Sequence, residues 1–120
     1  MPYVCVAVQA LREFAAGLPR SYEAVVRGRL KFRVGRIVYV AFSRDETLMG
    51  FAFSREERNA LVDTDPDKFQ LPTGGDLRYN WVVARLGAME VEEACEWVLD
   101  AWLFVVPETL AREYLSRADA

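Results

Sequence analysis

Five cations occupy ten residues in the stretch RGRLKFRVGR, Arg27 to Arg36. Arg27, Arg29, Lys31 and Arg33 fall on every second position, Leu30 and Phe32 lie between them, and Arg36 closes the run. In an extended chain, alternate side chains share a face about 6.6 to 6.8 Å apart. That is close to the phosphate spacing along one nucleic-acid strand, so such a row could track a phosphate backbone. Arginine suits the task because its planar fork binds phosphate through two N–H groups. The same pattern also describes the wet side of an ordinary strand, where lysine and arginine blunt a sheet edge. Arg27, Arg29, Lys31, Arg33 and Arg36 are thus the candidate nucleic-acid-binding residues.

Other chemistry is poorly supplied. The chain has no histidine, the commonest general base and transition-metal ligand. Ser21, Ser43 and Ser54 have no base in their motifs to activate them. Asp63, Asp65 and Asp67 have calcium-loop spacing, but Lys68 and Gly74 stand where such a loop needs glycine and glutamate. Glu92, Glu96 and Asp100 make an acidic helix face, read as a solvated one. Gly74 and Gly75 fit no phosphate-cradling pattern. Cys5 and Cys95 match no CxxC spacing, and two free thiols are expected. The expectation is a protein that is not an enzyme, with no catalytic residues, no metal and no cofactor.

The elements that must position the cations follow from periodicity. Val4, Ala7, Val8, Leu11, Phe14 and Ala15 predict a helix over 3–16, stopped by Gly17 and Pro19. The period then changes to two. YEAVV and LKFRV read as one strand interrupted near Gly28, or as two short pieces. GRIVYVAFS is a strand apolar on both faces, with Ile37, Tyr39 and Ala41 on one and Val38, Val40 and Phe42 on the other. RDET is a hairpin turn leading to a strand over 48–54. Ser54 and Glu57 suggest a capping box, with Ala60 and Leu61 facing inward. Pro66 ends that helix. KFQLP is a short edge strand, TGGD a loop, and RYNWVVARL a last strand. A long helix spans 90–106, and Pro107 opens a short terminal one.

The resulting order, α-β-β-β-α-β-β-α, is an α+β fold: an antiparallel sheet packed with helices. At 120 residues the chain is expected to be one domain, 1–120. Apolar content of 52% beside 28% charge fits a folded protein with a hydrophobic core. Its net charge of −3 is unevenly placed. Residues 1–60 hold ten Lys/Arg against six Asp/Glu, and residues 61–120 hold five against twelve. A chain with one basic and one acidic half can present a local positive face. The longest apolar run, AWLFVV, is too short to span a bilayer, and the N-terminus lacks a basic signal-peptide region. A soluble cytoplasmic protein without membrane contact is expected.

Three stretches in this order, LKFRVGRIVYVAFS (30–43), REERNALVDTDPDKFQLP (55–72) and YNWVVARL (79–86), resemble the MmcQ/YjbR family of small bacterial proteins, as does AWLFVVPETLAREY near the C-terminus. The resemblance runs from about Leu11 to Tyr114. It implies a compact α+β fold, with likenesses to the bacterial frataxin fold and to a double-wing DNA-binding module, and the family is often labelled DNA-binding. Departures from the family pattern are VGRI at the β-turn and GGDLRYNW, which has no histidine, before the last strand. The expected function is a small binding protein that meets DNA through the basic strand. The alternatives are a protein-interaction module, with an acidic protein as the partner of the cations, or a small-ligand domain without nucleic-acid contact. A monomer or weak dimer is expected.

Overall fold

Period-two alternation across residues 21–52 gives the sheet its frame. In the computed structural model, which describes the backbone of residues 2–118 and the side chains of residues 8–117, six strands form one sheet. They are β1 (Ser21–Val26), β2 (Arg29–Val34), β3 (Ile37–Phe42), β4 (Leu48–Ala52), β5 (Phe69–Gln70) and β6 (Trp81–Arg85). Their spatial order is β1-β2-β3-β4-β6-β5, and every pairing is antiparallel. Helices α1 (Pro2–Ala16) and α3 (Val91–Val105) pack against each other and against the sheet. A short α2 (Arg58–Thr64) lies by β5, and α4 (Glu108–Ala118) follows α3.

The core lies between the sheet and these helices. Phe32, Val40, Phe51 and Val82 stand in one row across β2, β3, β4 and β6, all fully buried. Val98 and Trp102 of α3 close over the same core. The Trp102 indole N–H donates to the Pro19 carbonyl at 2.9 Å, which satisfies a buried donor and ties α3 to the link after α1. Phe51, Phe53, Phe69 and Trp97 meet mainly edge to face in a second aromatic layer beside it.

The α+β class holds, and the two apolar residues that alternate with the cations face inward: Phe32 is 0% exposed and Leu30 packs against the core. Several local expectations are corrected. Of the two readings of YEAVV and LKFRV, the two short strands hold, joined as a hairpin, so four strands rather than three precede α2. Tyr39 does not sit opposite Val40 in orientation. The β2–β3 register shifts between Phe32 and Arg33, and the extra residue lets both Tyr39 and Val40 bury. Burial pushes the Tyr39 phenol up to about 12, and its oxygen lies 2.6 Å from the Ser21 hydroxyl. The capping box is absent. Ser54 closes a turn through its carbonyl, Glu57 is the helix N-cap without a side-chain bond, and Arg58 rather than Ala60 faces inward. TGGD leads into a 3-10 helix, Gly74–Arg78. Cys5 lies outside the residues whose side chains are described. Cys95 is a free, half-buried thiol whose pKa is raised by burial and, secondarily, by Glu92.

Gly50 marks a close approach that the strand pattern alone does not reveal. A Cβ placed there would lie 2.5 Å from Nε1 of Trp81 and 2.7 Å from two of its ring carbons. The indole therefore lies against the bare backbone of β4, on the face opposite the core. Gly50→Ala is expected to destabilise the fold by about 1–3 kcal/mol through overpacking and to change the near-UV signal of Trp81. Urea titration with fluorescence and circular dichroism checks both; an unchanged midpoint would show that the indole moves aside freely.

Candidate functional site

The site is built from the sheet face that points away from the core. Arg27 and Gly28, with φ of 56° and 77°, form the two-residue turn between β1 and β2. Left-handed conformations at both central positions match the twist of an antiparallel hairpin. Arg27 therefore stands at the hairpin tip and leaves the row. Arg29, Lys31 and Arg33 alternate with the buried residues and share the open face. Gly35, with φ of 61°, turns the chain into β3 and carries Arg36 to the other end of the hairpin. The structure thus keeps three of the five sequence candidates in a row and places Arg27 and Arg36 at opposite turns.

The neighbours of the row are small or polar. Lys31 lies between Ala24 of β1 and Ala41 of β3, and Arg33 lies between Tyr22 and Val38. The Tyr22 hydroxyl donates to the Gly35 carbonyl. Arg29 donates from Nε to the Phe42 carbonyl at 3.3 Å. Arg33 Nε is enclosed with no acceptor. Two grooves result, and Lys31 lines both.

The first groove, about 750 Å³, is lined by Arg27, Arg29, Lys31 and Arg44, with Asp45 beside them. Arg44 is a cation that the sequence reading of this site omitted, because it sits in the β3–β4 turn, remote in sequence from the row. Asp45 forms no ion pair with it. Its Oδ1 accepts from the Ser43 hydroxyl at 2.7 Å, the Thr47 hydroxyl at 2.8 Å and the Thr47 amide at 3.1 Å. These donors, Ser43 first, hold its carboxyl below the usual range. The ion pairs among the described residues are Arg12–Glu23, Lys68–Glu93, Arg112–Glu108 and Arg117–Glu113. They engage none of Arg27, Arg29, Lys31, Arg33, Arg36 and Arg44.

The second groove, about 740 Å³, opens where β3 and β4 part. Their ladder joins only Val40–Phe42 to Met49–Phe51, so Ile37 to Tyr39 run free of β4. Trp81 and Tyr79 line this cleft, with Lys31 and Arg36 on its β2–β3 side. Asp76 and Phe104 contribute from the 3-10 helix and from the end of α3.

What fixes this cleft is a residue the sequence reading missed. Arg58, only 6% exposed, donates to the carbonyls of Tyr79 at 2.9 Å, Trp81 at 3.1 Å and Leu77. Arg55 adds its amide to Asn80 Oδ1 at 3.0 Å and its guanidinium to the Arg78 carbonyl at 2.6 Å. The available signal was Arg58 on the same helical face as Leu61 and Val62, which pack against the core. Tyr22 and Tyr79 are exposed aromatics. The acidic face is also on the surface at Glu92, Glu96 and Asp100.

These features define a class: an antiparallel-sheet α+β protein with one helix-packed face and one open cationic face. A family model described as YjbR matches residues 16–104, and the chain belongs to the YjbR family. A crystal structure of Deinococcus radiodurans protein DR2400, with a domain described as DUF419, is similar at a TM-score of 0.71 and 21% identity, over 88% of this chain and 86% of that one. At that identity the likeness shows a shared fold. No curated protein matches the sequence. Among the described residues, no helix is long and apolar enough to cross a membrane.

Two outcomes are expected. Arg58→Ala leaves three carbonyls without their donor and should cost about 3 kcal/mol or more. Arg58→Lys should recover only part of this, because an ammonium lacks the rigid fork that reaches separate acceptors. Full stability of the lysine variant in urea would show that charge alone suffices. Asp100 is raised above the usual carboxylate range by partial desolvation and then by Glu96. A raised acid favours the fold below its unfolded pKa and loses that contribution as pH rises through its folded pKa. Asp100→Asn should therefore raise the melting temperature at pH 7, and the gain should shrink as pH falls through the carboxylate range. A gain that persists at pH 3 would assign it to packing instead.

Proposed function

We propose that this protein is a non-enzymatic nucleic-acid-binding protein that takes the phosphate backbone along the open face of its sheet. The observation that carries the reading is a set of six cations, Arg27, Arg29, Lys31, Arg33, Arg36 and Arg44, outside every ion pair among the described residues. Four of them line one groove. Phosphate recognition needs fixed positive charge and N–H donors, and guanidinium supplies both at any physiological pH. The net charge of −3 does not oppose this. The acidic residues Glu92, Glu96 and Asp100 lie on α3, which packs on the other side of the sheet. The local field at the open face is then set by the nearer charges, in the first groove four cations against Asp45, since distant exposed charges are screened beyond about 8–10 Å.

Backbone contacts fix position without reading bases, so affinity should vary little between sequences of equal length. If the four groove cations each displace one counterion on duplex DNA, log affinity against log salt should have a slope of about −3.6. Arg29→Ala with Arg44→Ala should flatten it by about 1.8. Fluorescence anisotropy with labelled duplex across a salt series measures both. A slope near zero, or no binding at low salt, would make the face a solvated surface.

A further inference from the structure

The cleft between β3 and β4 differs chemically from the cationic groove beside it. Its walls include Trp81, seated against Gly50, together with Tyr79 and Phe104. Tyr79 is 55% exposed and Phe104 is 49% exposed. Large aromatic side chains left this open at the rim of one cavity are unusual for a surface with no partner. Polar groups converge there too. Asp76 offers a carboxylate acceptor. Asn80 spends its Oδ1 on the Arg55 amide, which leaves its NH₂ group as donor. The Trp81 N–H donates to no protein acceptor among the described residues, unlike the indoles of Trp97 and Trp102.

We infer that this cleft receives an unstacked nucleobase, so that the preferred ligand is single-stranded nucleic acid rather than duplex. The inference rests on the phosphate-backbone reading of the neighbouring face. Three features point the same way. First, Lys31 lines both grooves, so a strand held by Arg29 and Lys31 along β2 leads directly to the cleft mouth. Second, an aromatic wall with donors and an acceptor matches a base, which has two π-faces and a mixed hydrogen-bonding edge. Third, the cleft is charge-sorted: Lys31 and Arg36 suit the phosphate, and Asp76 would repel it but accepts from the N–H groups of a base. At about 740 Å³ the cleft has the size of a small-ligand site. Bases in a duplex are stacked and paired, and entering the cleft would first require extruding one.

The test compares one protein with a single strand and with a duplex of equal length, by anisotropy at matched salt. The single strand should bind about tenfold more tightly. Its salt slope should be shallower per contact, about −0.7 rather than −0.9. Tyr79→Ala and Phe104→Ala, both at exposed positions, should each lower the single-strand-to-duplex ratio several-fold. Arg29→Ala should weaken both ligands together and leave the ratio in place. Tryptophan emission should be quenched by the strand, and the quench should vanish in Trp81→Phe. Equal affinities for the two ligands, with a ratio indifferent to Tyr79 and Phe104, would overturn the inference while the backbone reading stands. Failure to bind either ligand at low salt would overturn both.

Discussion

A buried guanidinium sets the geometry on which the rest of the open face depends. Arg58 reaches the carbonyls of Leu77, Tyr79 and Trp81 from the start of α2. It thereby fixes where the chain enters β6 and how Trp81 is delivered over β4. The indole can settle there because Gly50 has no side chain. Removing a charge from water is expensive unless its donors are satisfied, and here backbone carbonyls meet that demand. Unlike a carboxylate, carbonyl partners satisfy the donors without cancelling the positive charge. The arrangement joins residues 50–52 and 58, near one another in sequence, to the distant segment 77–81.

The second organising feature is the division of the sheet into two electrostatic environments. The helix-packed face uses charge in pairs: Arg12 with Glu23 at 2.5 Å, and Lys68 with Glu93 at 3.0 Å. On the open face no cation is in an ion pair among the described residues, and the one acid in the first groove, Asp45, takes its hydrogen bonds from its own turn. Alternation along β2 produces this division, since a shift of one residue would exchange Phe32 with a cation. A local excess of positive charge over a concave surface attracts polyanions and speeds their encounter, even when the whole molecule is acidic.

The parts of this architecture that arise from near neighbours were legible in the sequence. Alternation placed Leu30 and Phe32 inside and Arg29, Lys31 and Arg33 outside, and the 3.6 period marked α1 and α3. The RDET turn was readable because charged and polar residues interrupt two apolar runs. Arg27–Gly28 was less so, since arginine rarely adopts a left-handed turn conformation and the pair reads as a flaw within one strand. The bulge at Tyr39 escaped because strict alternation cannot anticipate an inserted residue. The capping-box pattern at Ser54 and Glu57 misled because the chain turns once more before α2 begins. The cleft was illegible for a different reason. Arg58, Gly50, Trp81 and Phe104 meet only through tertiary folding, and none carries a local motif.

One face of this sheet bounds the core, and the proposed function makes the other a polyanion-binding surface. Amide chemical-shift mapping during titration with a short single-stranded oligonucleotide distinguishes the two faces. Shifts are expected along β1, β2 and β3, in the Arg44–Asp45 turn and through residues 76–81, with the exposed side of α3 around Glu92 and Glu96 unmoved. Shifts centred on that acidic helix face, or a spectrum unchanged at saturating oligonucleotide and low salt, would contradict the proposed function.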